Sequence, residues 1–245
     1  MCTLVLAWQV FADAPVVATA NRDEATDRPS KPPFVWDTDP AIVAPRDESA
    51  GGTWIGYNER GVFAAITNRW LDDPPEAERS RGLLVRDALG EQTAEEATRL
   101  VERTLDQQDY DGFNLVIVDE TAALYLEWDG SLSVTNLDPG VHVVVNVGAD
   151  GRYRIPAFRS ENGRRQVENA DALRAALQPE PAETSEEWVE RAAETIADHD
   201  FGVCVHGDGF GTRSSSLVRL DDQHAYWFAD GPPCETEYQR VEGQV

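Results

Sequence analysis

Short strand-like runs dominate this chain, and they fall into three blocks separated by two helical stretches. The first block reads as strands over residues 2–10, 15–20, 53–57 and 61–67, where apolar and β-branched residues cluster between turn residues. Residues 21–33, polar and rich in proline, read as a loop. Helical periodicity then covers residues 81–89, closed by Gly90, and 93–105, opened by Thr93-Ala-Glu-Glu96 in a capping-box pattern. Strand patterns return over 113–119, 122–128 and 140–147. Helices follow over 170–177 and 185–199, the second preceded by Thr184 with Glu187 three residues on. Residues 201–206, 214–220 and 225–228 read as the last strands. Strand groups alternating with helix groups indicate an α+β fold with mainly antiparallel sheets. The polar break at 179–183 is too short to divide domains, so a single domain over 1–245 is expected.

Charge narrows the ligand classes. Asp and Glu total 45 against 21 Lys and Arg, a formal net charge of -24, and Lys31 is the one lysine. The acids are spread along the chain, a pattern expected of a halophilic protein, because at molar salt the Debye length falls to about 3 Å and self-repulsion is screened. Binding of cations or of a basic partner is the competing explanation. Nucleic acid is excluded as a partner, since phosphate binding needs a basic footprint. No run reaches the roughly 20 apolar residues of a membrane span. The start, Met-Cys-Thr-Leu-Val-Leu-Ala-Trp, reads as a first strand and not as a signal peptide, so a cytoplasmic location is expected. Three cysteines, Cys2, Cys204 and Cys234, argue against a disulfide framework. The spacing of Cys204 and His206, with His142, His199 and His224 scattered, matches no standard zinc pattern, and no metal is expected.

Cys2 carries the most chemistry. Removal of Met1, expected because the cysteine side chain is small, would place a thiol and an α-amino group on one residue. An amine of pKa about 7.7–8.0 can take the proton of a thiol of pKa about 8.5. The thiolate then serves as a nucleophile that splits acyl transfer into thioester formation and hydrolysis.

Asn21-Arg22-Asp23-Glu24 directly follows a strand. With Met1-Cys2, Arg28-Pro29-Ser30, Gly51-Gly52-Thr53-Trp54-Ile55-Gly56, Arg60-Gly61 leading to Ala65-Ile66-Thr67-Asn68, Gly112-Phe113-Asn114-Leu115 and Gly209-Phe210-Gly211-Thr212-Arg213, it resembles the NRDE family, also called the transport-and-Golgi-organization family. That family is similar to the cysteine branch of the N-terminal-nucleophile hydrolases. The resemblance implies a four-layer αββα sandwich with Cys2 opening a central strand. It also implies catalytic roles: Arg22 holding the thiolate, Asp23 accepting from the α-amino group, and Asn68 giving a backbone N–H to the oxyanion. Asn146 would be the side-chain counterpart of Asn68, and Arg213 a second active-site arginine.

The hydrolases separate their arginine and aspartate by two residues, whereas Arg22 and Asp23 are adjacent. Neighbours on a strand point to opposite faces. Either the chain turns there, or the working pair is Asn21 with Asp23, or Arg22 with Glu24. Two functions follow from the resemblance. One is hydrolysis of a non-peptide carbon–nitrogen amide bond, or a thioester, through acyl-Cys2 on a small-molecule substrate, with no cofactor required. The other is a non-catalytic binding and trafficking protein on the same fold, with haem, or acyl-coenzyme A or lipid, as its ligand.

Overall fold

A computed structural model describes residues 2–245; the expected removal of Met1 lies outside the described residues. In chain order the strands of the first half are β1 (Thr3–Trp8), β2 (Val16–Ala25), β3 (Ser30–Trp36), β4 (Ile42–Asp47), β5 (Ile55–Asn58) and β6 (Phe63–Asn68). Helices α1 (Arg81–Ala88) and α2 (Ala94–Leu105) follow, then β7 (Phe113–Val118), β8 (Ala123–Trp128), β9 (Leu132–Asn136), β10 (Gly140–Val145), β11 (Gly148–Ala149) and β12 (Arg152–Tyr153). Helices α3 (Ser160–Ala176) and α4 (Ser185–Ala197) precede β13 (Phe210–Leu220), β14 (Ala225–Ala229) and β15 (Gln239–Arg240).

The chain divides into two compact units: residues 1–28 with 139–241, and residues 29–138 with 242–245. The first holds an eight-stranded sheet in the order β12-β11-β10-β1-β2-β13-β14-β15, every pairing antiparallel. Strand β1 lies inside it, between β10 and β2, and every one of its residues is buried. Helix α3 packs on β10, and α4 on β2 and β13. The second unit holds a seven-stranded antiparallel sheet, β3-β4-β5-β6-β7-β8-β9. Its apolar core joins Leu84, Val85 and Ala88 of α1 and Ala97 and Val101 of α2 to Leu115 and Ile117 of β7.

The α+β class with antiparallel sheets agrees with the sequence pattern. Thr184 and Glu187 form the reciprocal cap of α4, and Thr93 caps α2 by accepting from the Glu96 N–H. Three local readings are corrected. Residues 21–33 are no loop: β2 runs on to Ala25 and β3 begins at Ser30. The prolines that signalled a loop, Pro32 and Pro33, sit on an edge strand where the register shifts between Lys31 and Phe34, a position at which proline costs no ladder bond. Helix α3 starts at Ser160, a full ten residues before the expected 170. Its first turns are polar, with Gly163 where a Cβ would meet Ile155 at 2.5 Å. Finally, residues 201–206 form no strand. A 3-10 turn (His199–Phe201) ends at Gly202 in the left-handed region, φ 65°, and an irregular loop leads to β13.

Candidate active site

Asn21, Arg22, Asp23 and Glu24 remain on β2, so their side chains alternate between the two faces of the first sheet. The Asn21 amide, buried, donates to Ile196 O of α4 at 3.0 Å and to Val203 O at 2.9 Å, and it accepts from Ser215 Oγ at 2.7 Å. This commits Asn21 to the helix-covered face. Arg22 takes the opposite face with Glu24, at 3.8 Å from guanidinium to carboxylate. The register pairs Thr3 with Asn21, so one step further Cys2 comes level with Arg22. Of the two same-face pairs considered from the sequence, Arg22 with Glu24 shares the face that this register gives Cys2, while Asn21 is committed to α4.

Asp23 stays near the thiol through its main chain. Cys2 Sγ lies 3.5 Å from the Asp23 carbonyl oxygen, to which it donates. The buried Asp23 carboxylate accepts from Thr212 Oγ1 at 2.6 Å. Burial pushes both groups up from their ordinary pKa values: the Asp23 carboxyl, and the Cys2 thiol, where the Asp23 charge adds to burial and Arg22 opposes it.

Asn146 follows β10 and is buried. Its Oδ1 accepts from the Cys2 N–H at 3.1 Å and from Gln166 Nε2 of α3 at 2.7 Å. With Oδ1 engaged twice, the amide is oriented, and Nδ2 is the end that can donate. Gln166 was not singled out by sequence. Its signal, a glutamine on the sheet-facing side of α3, is readable only once the helix is seen to begin at Ser160.

Arg213 is the extra residue of a β-bulge. Asp23 pairs with Thr212 and Arg22 with Ser214, and the register shifts between them. A bulge re-aims a side chain relative to the strand alternation. The Arg213 Nε is buried without a hydrogen-bond partner among the described residues. Five of the six expected site residues, Cys2, Arg22, Asp23, Asn146 and Arg213, thus sit on or at the ends of strands of the first unit. Asn68 belongs to the second unit, where it closes β6, pairs with Phe113 of β7 and is exposed.

Residues 1–231 match the family model described as Transport and Golgi organisation 2. The chain belongs to the TANGO2 family. The human Transport and Golgi organization protein 2 homolog is 28% identical over 84% of this chain and 82% of its own length. The mouse homolog is 25% identical over 93% of this chain and 90% of its own. Among solved structures, penicillin V acylase from Agrobacterium tumefaciens superposes with TM-score 0.60 at 15% identity, covering 94% of this chain and 83% of that one. The Caenorhabditis elegans N-acylethanolamine-hydrolyzing acid amidase ortholog gives 0.56 at 13% identity, over 89% and 92%. The fold of this TANGO2 family member is therefore that of the N-terminal-nucleophile hydrolases, as the resemblance implied.

Proposed function

We propose that this chain is a cysteine N-terminal-nucleophile hydrolase of a small-molecule amide, a non-peptide carbon–nitrogen bond, or of a thioester. The observation that carries the reading is the placement of Cys2 at the head of the central strand β1, level with Arg22 and hydrogen-bonded to an Asn146 already oriented by Gln166. Two solved neighbours of the fold are named as an acylase and an acid amidase, which supports the reaction class.

In this mechanism Met1 has been removed and Cys2 carries the free amine. An amine that donates to Asn146 Oδ1 has its lone pair available to the thiol proton. The thiolate, held by Arg22, forms the carbon–sulfur bond. The tetrahedral oxyanion accepts from Asn146 Nδ2, a donor of a kind worth about 3–4 kcal/mol. Breaking the carbon–nitrogen bond releases the amine with the proton taken from sulfur, and water then hydrolyses the acyl-Cys2 thioester.

Two measurements test this. Intact mass of protein made in its native host should lack Met1; a mass that includes it leaves Cys2 without its base and overturns the mechanism. A panel of N-acyl amino acids, acyl-coenzyme A thioesters and haem should show turnover in the wild type that Cys2→Ala abolishes. Asn146→Ala should lower kcat by about 100-fold with a smaller effect on KM. Haem or acyl-coenzyme A binding that ignores Cys2→Ala, with no turnover anywhere in the panel, would decide for the binding and trafficking protein.

A further inference from the structure

His199, Cys204 and His206, which lie within one short segment, converge in the first unit with Cys234, 28 residues beyond His206. One ligand-capable atom from each lies within 4.8 Å of every other. Cys204 Sγ and Cys234 Sγ are 3.3 Å apart, and His206 Nε2 lies 3.1 Å from Cys234 Sγ and 3.8 Å from Cys204 Sγ. The His199 and His206 rings stack at 5.2 Å between centroids, 15° from parallel. From zinc–sulfur bonds of about 2.3 Å and zinc–nitrogen bonds of about 2.0–2.1 Å, the edges of a tetrahedral site come to roughly 3.3–3.8 Å. The three separations among Cys204, His206 and Cys234 fall in or beside that range, and His199 completes the set within 4.8 Å.

We propose that these four side chains bind one zinc ion in a closed Cys2His2 site that staples two loops of the sheet. Thiolate and imidazole ligands in a tetrahedral set select zinc among the common divalent ions. Four protein ligands leave no open position, so the site is structural and not catalytic. On binding, two sulfur–hydrogen bonds give way to two sulfur–zinc bonds and both protons pass to solvent.

Two further observations point the same way. The second ring nitrogen of His206, Nδ1, faces Glu235 Oε1 at 4.0 Å. The carboxylate is an ion-pair neighbour of Nδ1, and Nε2 is the ring nitrogen turned to the sulfurs. The loop is also anchored independently of any ion. Val203 O accepts from Asn21, and the Val205 N–H donates to Thr212 Oγ1 at 2.8 Å. His199, His206 and Cys234 are exposed, so an ion has a path in. A Cys204–Cys234 disulfide would need the sulfurs at about 2.05 Å and would give the two histidines no role. The distance of Cys234 from the other three in sequence explains why spacing did not show the cluster. Its fourth member comes from the segment after β14, Cys204 and His206 from the irregular stretch that had read as a strand, and His199 from the end of the stretch that had read as a helix.

Cobalt(II) added to the reduced full-length chain is the test. One equivalent should produce the intense thiolate-to-cobalt band and the ligand-field spectrum of a tetrahedral ion, and one equivalent of zinc should displace it. Cys2→Ala should leave both unchanged. Cys234→Ser should remove the thiolate intensity of one sulfur, and His199→Ala or His206→Ala should each shift the ligand-field bands and weaken binding. Glu235→Gln should weaken zinc about tenfold. Circular dichroism shows whether each variant is folded. The proposal is overturned by a reduced chain that yields no thiolate band, by a band that both histidine variants leave intact, or by one that depends on Cys2.

Discussion

Two aspartates of the first unit are driven in opposite directions by their surroundings, and each gives a pH signature. Burial raises the Asp23 carboxyl, so the folded chain holds that proton more tightly than the unfolded one. A raised carboxylate destabilises the fold increasingly as pH climbs from the ordinary aspartate range through the folded value, and the full penalty persists above it. Asp23→Asn keeps an acceptor for Thr212 and removes the buried charge. Urea melts should show the variant gaining on the wild type as pH rises; a constant difference would show that the charge is already compensated. Asp150 behaves oppositely. Burial works against its charge, yet His142 Nδ1 at 2.6 Å and the Val143 N–H at 3.1 Å outweigh it, and its pKa is lowered. Its contribution is complete above the ordinary aspartate range and is lost as pH falls towards the lowered value. Asp150→Asn should cost about 1.5–3 kcal/mol at neutral pH, the worth of a hydrogen bond to a charged group, and almost nothing in strong acid.

At the scale of elements, Gly52 is the sharpest constraint on the second unit. A Cβ there would stand 2.2 Å from the backbone carbon of Gly82, where α1 begins, and the adjacent Thr53 N–H donates to Gly82 O at 3.0 Å. No side-chain movement relieves a clash with backbone. Gly52→Ala should therefore lower unfolding free energy by about 3 kcal/mol. Gly51→Ala meets no neighbour, and its φ of 75° should cost only about 1 kcal/mol. Denaturant midpoints of the two variants separate close packing from turn geometry. The sequence showed the glycine pair but could not distinguish these causes, because the partner, Gly82, is thirty residues away. Legibility follows the same line elsewhere. Helices α2 and α4 were readable from threonine caps and periodicity, which are local. Strand β4 was missed although its partners β3 and β5 adjoin it in sequence, and the start of α3 was missed because its first turns are polar. Within the site, Cys2, Arg22 and Asn146 were found by motif. Gln166, which orients Asn146, carries no motif, and the alternation of Arg22 and Asp23 became decidable only when β2 proved to continue through Ala25.

For the whole molecule, the net charge of -24 dominates the response to solvent. Its ion pairs include surface bridges such as Arg99–Glu95 at 3.1 Å, each worth at most about 1 kcal/mol, which salt weakens. Repulsion among the excess acids is screened by the same salt and is the larger effect, so melting temperature should rise from dilute buffer to molar potassium chloride. Each kcal/mol gained moves the midpoint by roughly 2–4 °C in a chain of this length. Equal midpoints at both salt levels would remove the halophilic reading. The sheet borders bear on a different property. Three of the four are poor templates for another chain: β12 and β15 have two residues each, and β3 carries Pro32 and Pro33. The fourth, β9, is five residues long with Val134 exposed. An unprotected border of this kind is where molecules join edge to edge into aggregates. Repulsion between like-charged copies opposes such joining, so salt that steadies each molecule would also lower the barrier to association through β9.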